Sequence, residues 1–515
     1  MLIANGNPQK IAILCVFVCW TTAVRVFGPC PFRCICDDVE LAVRCDNAGL
    51  DVVPITLNPG LRELYLGNNR IKSIMSSFSV YNDLEYLDMS KNQLVSLGKN
   101  NFEIQRRLRI LHLNDNMVSS LNNHTFRGLI SLQVLRLDKN FLLEITANVF
   151  QSLSSLEILD LSQNRISNLA PAAFSGLYQL KKLLLRDNKL MQIPTASFQR
   201  ILGLQFLNLG LNSFQAIPGN AFFPLVSLRT LVLDGCGIQM VQQGAFKRLD
   251  NLLTLHLEDN ELFSVPVDAL GDIGRLEELH IGQNRMTHFK ALSFQGLTSL
   301  RILVANGCHE LERIEKGAFE DNTRLEKVVI NHNPSLVYVD PNAFSHLNHL
   351  RYVSLRGNAF YTIPEDLLPW EKLEYFDLRD NPLTCNCSLL WLWSMLRSKN
   401  FSSESPGDTT RVLCVSPPHL RGRPLSESRM EDLDCYQNTR RQIVTGTVAA
   451  AGILILATIT LGLWHRQKIA RALEKKWKQD QQETQYQRSE TPENRYGPMT
   501  RVVRPTPKIS PITEL

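Results

Sequence analysis

Leu156-Glu-Ile-Leu159-Asp-Leu161-Ser-Gln-Asn164-Arg-Ile166 is followed 24 residues later by Leu180-Lys-Lys-Leu183-Leu-Leu185-Arg-Asp-Asn188-Lys-Leu190. The same spacing of apolar residues around one Asn begins again at Leu61, Leu84, Leu108, Leu132, Leu204, Leu228, Leu252, Leu276, Leu300, Leu325, Leu350 and Leu373. Each unit holds a short apolar alternation, as in Leu159-Asp160-Leu161, and ends near a buried aromatic such as Phe174. A period of this length means stacked supersecondary units, none of which can bury its apolar edge alone.

The pattern is that of a leucine-rich repeat. Its fold class is an α/β solenoid of about 14 repeats with a parallel concave sheet. At about 4.8 Å per strand, the sheet makes an arc of roughly 65 Å. A Phe column (Phe78, Phe102, Phe126, Phe150, Phe174, Phe198, Phe222, Phe246, Phe294, Phe319, Phe344), with Leu270 and Leu368 in its remaining places, should pack the convex side. The Asn column should pair backbone groups left over by the turn after each strand, because an amide both donates and accepts. Two of its fourteen positions are Cys236 and Cys308. They stand three repeats apart, roughly 14 Å, and a disulfide needs Cα atoms within about 7 Å. Both read as buried free thiols. The steps from Leu300 to Leu325 and from Leu325 to Leu350 are 25 residues, each with one extra residue after the Asn/Cys position. This predicts a bulged loop or a local change of curvature.

Cysteines cluster at both ends of the array: Cys30, Cys34, Cys36 and Cys45 before it, and Cys385, Cys387, Cys414 and Cys435 after it. Four cysteines allow three pairings, and a zinc site is the other use of such spacing. The chain opens with Lys10 before an apolar run, Ile11 to Trp20, and small residues at 21–23. This predicts a signal peptide over 1–28, cleaved between 23 and 28, and an oxidising compartment. Sequons at Asn123, Asn386 and Asn400 fit a secreted glycoprotein; the position of Asn386 between two cysteines counts against its use. Residues 443–464 carry no charge, and 22 residues at a rise of about 1.5 Å cross a bilayer core. Arg466, Lys468, Arg471, Lys475, Lys476 and Lys478 follow, against Arg440 and Arg441 before, which places the C-terminal side in the cytoplasm. The organisation expected is therefore a signal peptide (1–28), an N-terminal cysteine cap (29–60), repeats (61–383), a C-terminal cysteine cap (384–436), a juxtamembrane stalk (437–442), a span (443–464) and a disordered tail (465–515).

These parts together resemble the single-pass leucine-rich-repeat transmembrane adhesion and receptor proteins, such as the neuronal leucine-rich-repeat transmembrane, Tartan/Capricious-like and Slit-like proteins. The resemblance implies the disulfides Cys30–Cys36, Cys34–Cys45, Cys385–Cys414 and Cys387–Cys435. It also implies a plasma-membrane, type I receptor or adhesion protein that binds an extracellular protein ligand or cell-surface counter-receptor. A Toll-like pattern-recognition co-receptor without a signalling domain, or a regulator of growth-factor or extracellular-matrix availability, are the alternatives.

In the tail, Thr513, Glu514 and Leu515 fit capture by a PDZ scaffold, and Tyr496 with Met499 has endocytic-motif spacing. Gly446/Ala450 and Thr458/Gly462 have the small-residue spacing that permits a homo-oligomer. On the sheet, the residue between the two strand leucines should face solvent. Tyr65, Arg136, Leu184, Val232, His256 and His280, with Phe206 beside them, are the ligand-contact candidates. Exposed apolar residues are expected from Leu184 onward, which suits a protein partner. His256 and His280 occupy equivalent places about 5 Å apart; two ligands are too few for a metal site, so no metal or other cofactor is expected. The chain has no G-x-S-x-G, H-E-x-x-H or phosphate-loop motif, so no enzyme is expected. The net charge of +5 is concentrated beside the span and gives no nucleic-acid footprint.

Overall fold

The computed structural model describes residues 30–397 and 411–486. Two compact units divide the chain, at Leu433 and Asp434.

The first unit carries a 16-stranded sheet. Its fourteen successive parallel strands run from Glu63–Tyr65 to Tyr375–Asp377, one for each repeat. The period fixes their register. Leu159, Leu183, Leu207 and Leu231 face one another directly, as do all the central strand residues. These side chains are fully buried, while their strand neighbours are mostly half-buried. This is the alternation a pleated strand requires. The remaining two strands, Ile35–Asp37 and Ala42–Arg44, form an antiparallel pair, and the second joins the first repeat in parallel. That pair covers the sheet edge, which would otherwise offer unpaired amides to other chains.

The Phe column is buried throughout, as are Leu270 and Leu368. Its rings stack, as in Phe126–Phe150 at 5.8 Å and Phe150–Phe174 at 6.5 Å. The connections there are turns and one-turn helices such as Thr195–Phe198 and Val267–Leu270.

The Asn column works as a backbone clamp. Asn164 donates to the carbonyl oxygens of Leu161 in its own repeat (3.1 Å) and Leu137 in the one before (2.9 Å), and accepts the N–H of Leu142 at 3.1 Å. The residue before each column position is left-handed, with φ from +50° to +69° across Asn68, Lys91, Asp115, Gln283, Gly307 and their equivalents. That conformation makes the sharp turn after the strand.

Both ends of the first unit hold disulfides: Cys30–Cys36 and Cys34–Cys45 at one, Cys385–Cys414 at the other. Cys387 and Cys435 are also disulfide-bonded. The helix Leu390–Arg397 follows Cys387. Two tryptophans anchor it: the Trp391 indole donates to the Ile363 carbonyl (3.1 Å) and that of Trp393 to the Ser428 carbonyl (2.8 Å). Cys236 and Cys308 are free and buried.

The second unit is one helix, Cys435–Tyr486. Among the described residues it is the one helix long and apolar enough to cross a membrane. The expected boundaries need correction here. Residues 437–442, expected as a stalk, lie inside the helix, and so do residues 465–486 of the expected disordered tail. The sequence there is rich in Gln, Lys, Arg, Ala and Glu, which are strong helix formers. The Glu474–Lys478 pair, at 3.2 Å, adds the favourable spacing of one turn.

Candidate functional site: the open face of the repeat sheet

Side chains flanking each buried strand leucine form three columns across the open face. Members of one column lie one strand spacing apart, so each side chain packs on its equivalents in the neighbouring repeats. This corrects the expectation that strand-centre residues point freely to solvent. Most are half-buried, and Asp160, Ser354 and Asp377 are buried. Each buried one satisfies its polar atoms locally. Asp160 accepts the Ser162 N–H at 3.0 Å, Ser354 donates to Asn331 Oδ1 at 2.8 Å, and Asp377 holds Arg379 through two bonds of 2.8 and 2.6 Å.

The candidates fall into three groups along the face. At the first strands, the Arg44 guanidinium lies 4.0 Å over the Tyr65 ring, and Tyr65 packs on Tyr86 at 4.7 Å. Tyr86 meets His112 edge-on, and burial, with Asp88 next in effect, pushes its hydroxyl up to about 12. Arg136 is exposed and reaches Asp138 at 3.3 Å. Burial, then repulsion from Asp160, raises the Asp138 carboxyl above its ordinary value.

In the middle, Leu184, Phe206 and Val232 are half-buried rather than exposed. The Lys182 ammonium caps the Phe206 ring at 4.8 Å. Several of the exposed large apolar residues lie instead just past the Asn column: Met117, Phe141, Leu143, Met191 and Phe263. Side chains on that flank project from turns and lack the lateral cover of sheet neighbours. Beside Leu184, Arg186 reaches across one whole repeat to Asp234, 2.6 Å away. Gly210 lies beneath this bridge; a Cβ there would stand 2.3 Å from Asp234 Oδ1 and 2.4 Å from the Arg186 guanidinium.

Beyond them stand His256 and His280, paired across adjacent strands. Their rings stack at 4.3 Å, inclined by 22°. His256 Nδ1 lies 3.0 Å from Glu258 Oε1, and His280 Nε2 lies 2.8 Å from Glu278 Oε1. The hydrogen bond to Glu258, ahead of any other influence, raises the His256 imidazole above its ordinary value. The expectation of no metal-binding set rested on two histidines; here Glu258 is a third donor, and the three donor atoms lie within 4.8 Å of one another. The spacing His256-x-Glu258, one strand period, carried that signal in the sequence.

Asn123 is exposed. The Asn386 side chain is taken up as a helix cap, accepting from the Ser388 N–H (2.9 Å) and hydroxyl (2.6 Å). Asn400, Tyr496, Met499, Thr513, Glu514 and Leu515 lie outside the described residues.

A sequence profile described as leucine rich repeat matches this chain in overlapping segments that run from residue 59 to residue 360, more than half of its 515 residues. The chain belongs to the leucine rich repeat family. It is similar to the CD180 antigen of Mus musculus, 34% identical over 139 residues that make up 27% of this chain and 20% of that protein. It is similar also to the leucine-rich repeat transmembrane protein FLRT2 of Mus musculus, 27% identical over 190 residues, or 32% of this chain and 28% of that one. The chain thus spans between a fifth and just over a quarter of the length of these curated relatives. In fold it resembles the Drosophila Toll–Spatzle complex, with 18% identity and a TM-score of 0.51 over 73% of this chain and 61% of that one.

Proposed function

We propose that this protein is a single-pass, type I cell-surface receptor or adhesion protein, and that its repeat sheet binds an extracellular protein partner. The observation that carries the reading is the open face itself. It is a rigid parallel sheet whose columns mix aromatic, aliphatic and charged side chains, joined in one chain to a helix able to span a membrane. Such a face suits a folded protein surface better than a small molecule, because it offers area rather than an enclosed pocket. The similarity to CD180 and FLRT2 supports a surface receptor and leaves the ligand open.

The test displays the full chain on cells and probes it with a panel of secreted and cell-surface proteins, with microbial products as a separate arm. Specific protein partners are expected, and the substitutions Leu184→Asp, Phe206→Asp and Val232→Asp should weaken binding at least tenfold without lowering surface expression. Hits confined to microbial products would favour the co-receptor alternative. Unchanged binding in all three variants would remove these residues from the contact. Engagement of Thr513, Glu514 and Leu515 by a PDZ scaffold is a separate part of the proposal; a pull-down on a PDZ-domain panel that Leu515→Ala leaves intact would remove it.

A further inference from the structure

We propose that His256, Glu258 and His280 form a binding site for a borderline transition metal ion such as Zn2+ on the open face of the sheet, with one coordination position left for a second molecule.

The strand register sets the three donors. His256 and His280 are direct partners in adjacent parallel strands, so their rings must project side by side. Glu258 lies two residues beyond His256 and returns to the same face. The three donor atoms stand within 4.8 Å of one another, whereas donors on a tetrahedral zinc stand about 3.3 Å apart at bond lengths near 2.05 Å. Side-chain rotation closes that gap without moving the sheet, because each donor sits at the end of at least two rotatable bonds.

A second observation points to a cation. Glu258 Oε2 is buried and accepts no hydrogen bond. A carboxylate oxygen withdrawn from water without a donor is costly, and a bound cation would satisfy it. The surroundings favour positive charge. Glu278 holds His280 at 2.8 Å, Glu258 holds His256, and Asp234 acts on His256 from the preceding repeat. Arg186, in the same column as Glu258 and three repeats before it, is already committed to Asp234 at 2.6 Å. The residues equivalent to the histidines in the flanking strands, Val232 and Val304, bring no competing charge. Two imidazoles and one carboxylate suit zinc, copper or nickel and not the oxygen-seeking Ca2+ or Mg2+. Three protein ligands leave a position that water or a donor from an incoming protein fills. That last role rests on the proposed function; the metal site itself does not.

The experiment strips the full chain in detergent micelles with chelator and titrates it with ZnCl2 by calorimetry, with Co2+ absorption as an independent reading of coordination. One equivalent of Zn2+ is expected to bind, with no heat from Ca2+ or Mg2+. His280→Ala and Glu258→Gln should each weaken binding at least tenfold and abolish the Co2+ spectrum. His288→Ala, in a different column, should leave both unchanged. Melting of each variant without metal reports whether it is folded. Equal Zn2+ affinity in the wild type, His280→Ala and Glu258→Gln overturns the site, as does absence of binding to the folded wild type. Neither result bears on whether the face binds a protein, since no partner is present.

Discussion

The Asn column does one task in the 24-residue repeats and another where the repeat lengthens to 25. In the regular stretch, each side-chain oxygen accepts an amide 22 residues earlier, as Asn188 does from Ile166 at 3.0 Å, and each amide nitrogen donates back to the preceding repeat, as Asn188 does to Leu161 at 3.0 Å. In the longer repeats the oxygen takes the amide 25 residues earlier instead. Asn333 accepts from Cys308 at 2.7 Å, and Asn358 from Asn333 at 3.0 Å. The Asn333 amide nitrogen now donates forward, to Asn358 Oδ1 at 3.1 Å. The inserted residue closes its own turn, with the Leu311 N–H donating to the Cys308 carbonyl, and so frees the side chain from that duty. On the convex side, the Phe294–Phe319 and Phe319–Phe344 rings stack at 5.5 and 5.3 Å, while pairs in the regular stretch stand between 5.7 Å, for Phe78–Phe102, and 6.5 Å, for Phe150–Phe174. A lengthened repeat therefore changes the clamp while leaving the sheet register intact.

Removing the clamp should separate the two stretches. Asn188→Ala leaves the Ile166 amide without a partner inside the core and takes one of two donors from each of the Leu161 and Leu185 carbonyls, which keep Asn164 and Asn212, a loss of about 3 kcal/mol. Asn333→Ala orphans chiefly the Cys308 amide, and about 2 kcal/mol is expected. Hydrogen exchange tells the two arrangements apart: protection should fall at Ile166 in the first variant and at Cys308, not Leu311, in the second. Loss of protection at Leu311 would mean that the long repeats use the regular clamp after all.

The strands, the Phe column and the clamp were legible because each answers to a residue type at a fixed spacing. The left-handed residue before each clamp position was not. Gly, Asp or Asn hold eight of the fourteen places, but Lys91, Gln283, Leu211 and His332 adopt it too, so the requirement leaves only a partial mark in residue type. Leu184, Phe206 and Val232 were identified as facing the open side, but their partial cover depends on neighbours one repeat away. Glu258 was missed because the strand pattern was taken to end at the second leucine, although the period-two face continues past it. The helical stretch from 465 to 486 was hidden by a composition that suits both a solvated tail and a solvated helix.

A smaller difference divides the carboxylates of the open face. Burial would raise the Asp377 carboxyl, but the Arg379 pair and the Arg379 backbone N–H outweigh it and hold the group below its ordinary value. Its contribution is fully present above the unfolded value of about 3.9 and is lost as pH falls through the lower folded value. Asp138 is the reverse: raised by burial and by Asp160, it costs stability when ionised, and the cost disappears as pH falls from above its folded value to below the unfolded one. Arg379→Met should therefore destabilise by about 1.5 kcal/mol at neutral pH, with the difference from wild type shrinking in acid. Asp138→Asn should stabilise by less than about 1 kcal/mol at neutral pH and by nothing at pH near 3. Denaturant melts across that range measure both, and parallel curves for the two variants would refute the contrast.

The smallest effect belongs to the two clamp positions that hold sulfur. Burial pushes the Cys236 thiol up to about 12 and raises that of Cys308 as well. The nucleophile in thiol chemistry is the thiolate, so at pH 8 both should stay unmodified by iodoacetamide in the folded chain and react fully only in denaturant. Each is also a weak clamp. Cys236 Sγ lies 3.3 Å from the Leu209 carbonyl, at the place where an Asn amide elsewhere donates, and a thiol is a poor donor. Cys236→Asn restores the donor and supplies an acceptor aimed 22 residues back, at Phe214. The extra volume must fit a closely packed column, so the net change should stay within about 1 kcal/mol of zero. A rapid reaction of either thiol in the folded chain would show that the stack opens at these two positions, and that sulfur marks a weak seam in the clamp rather than a neutral replacement.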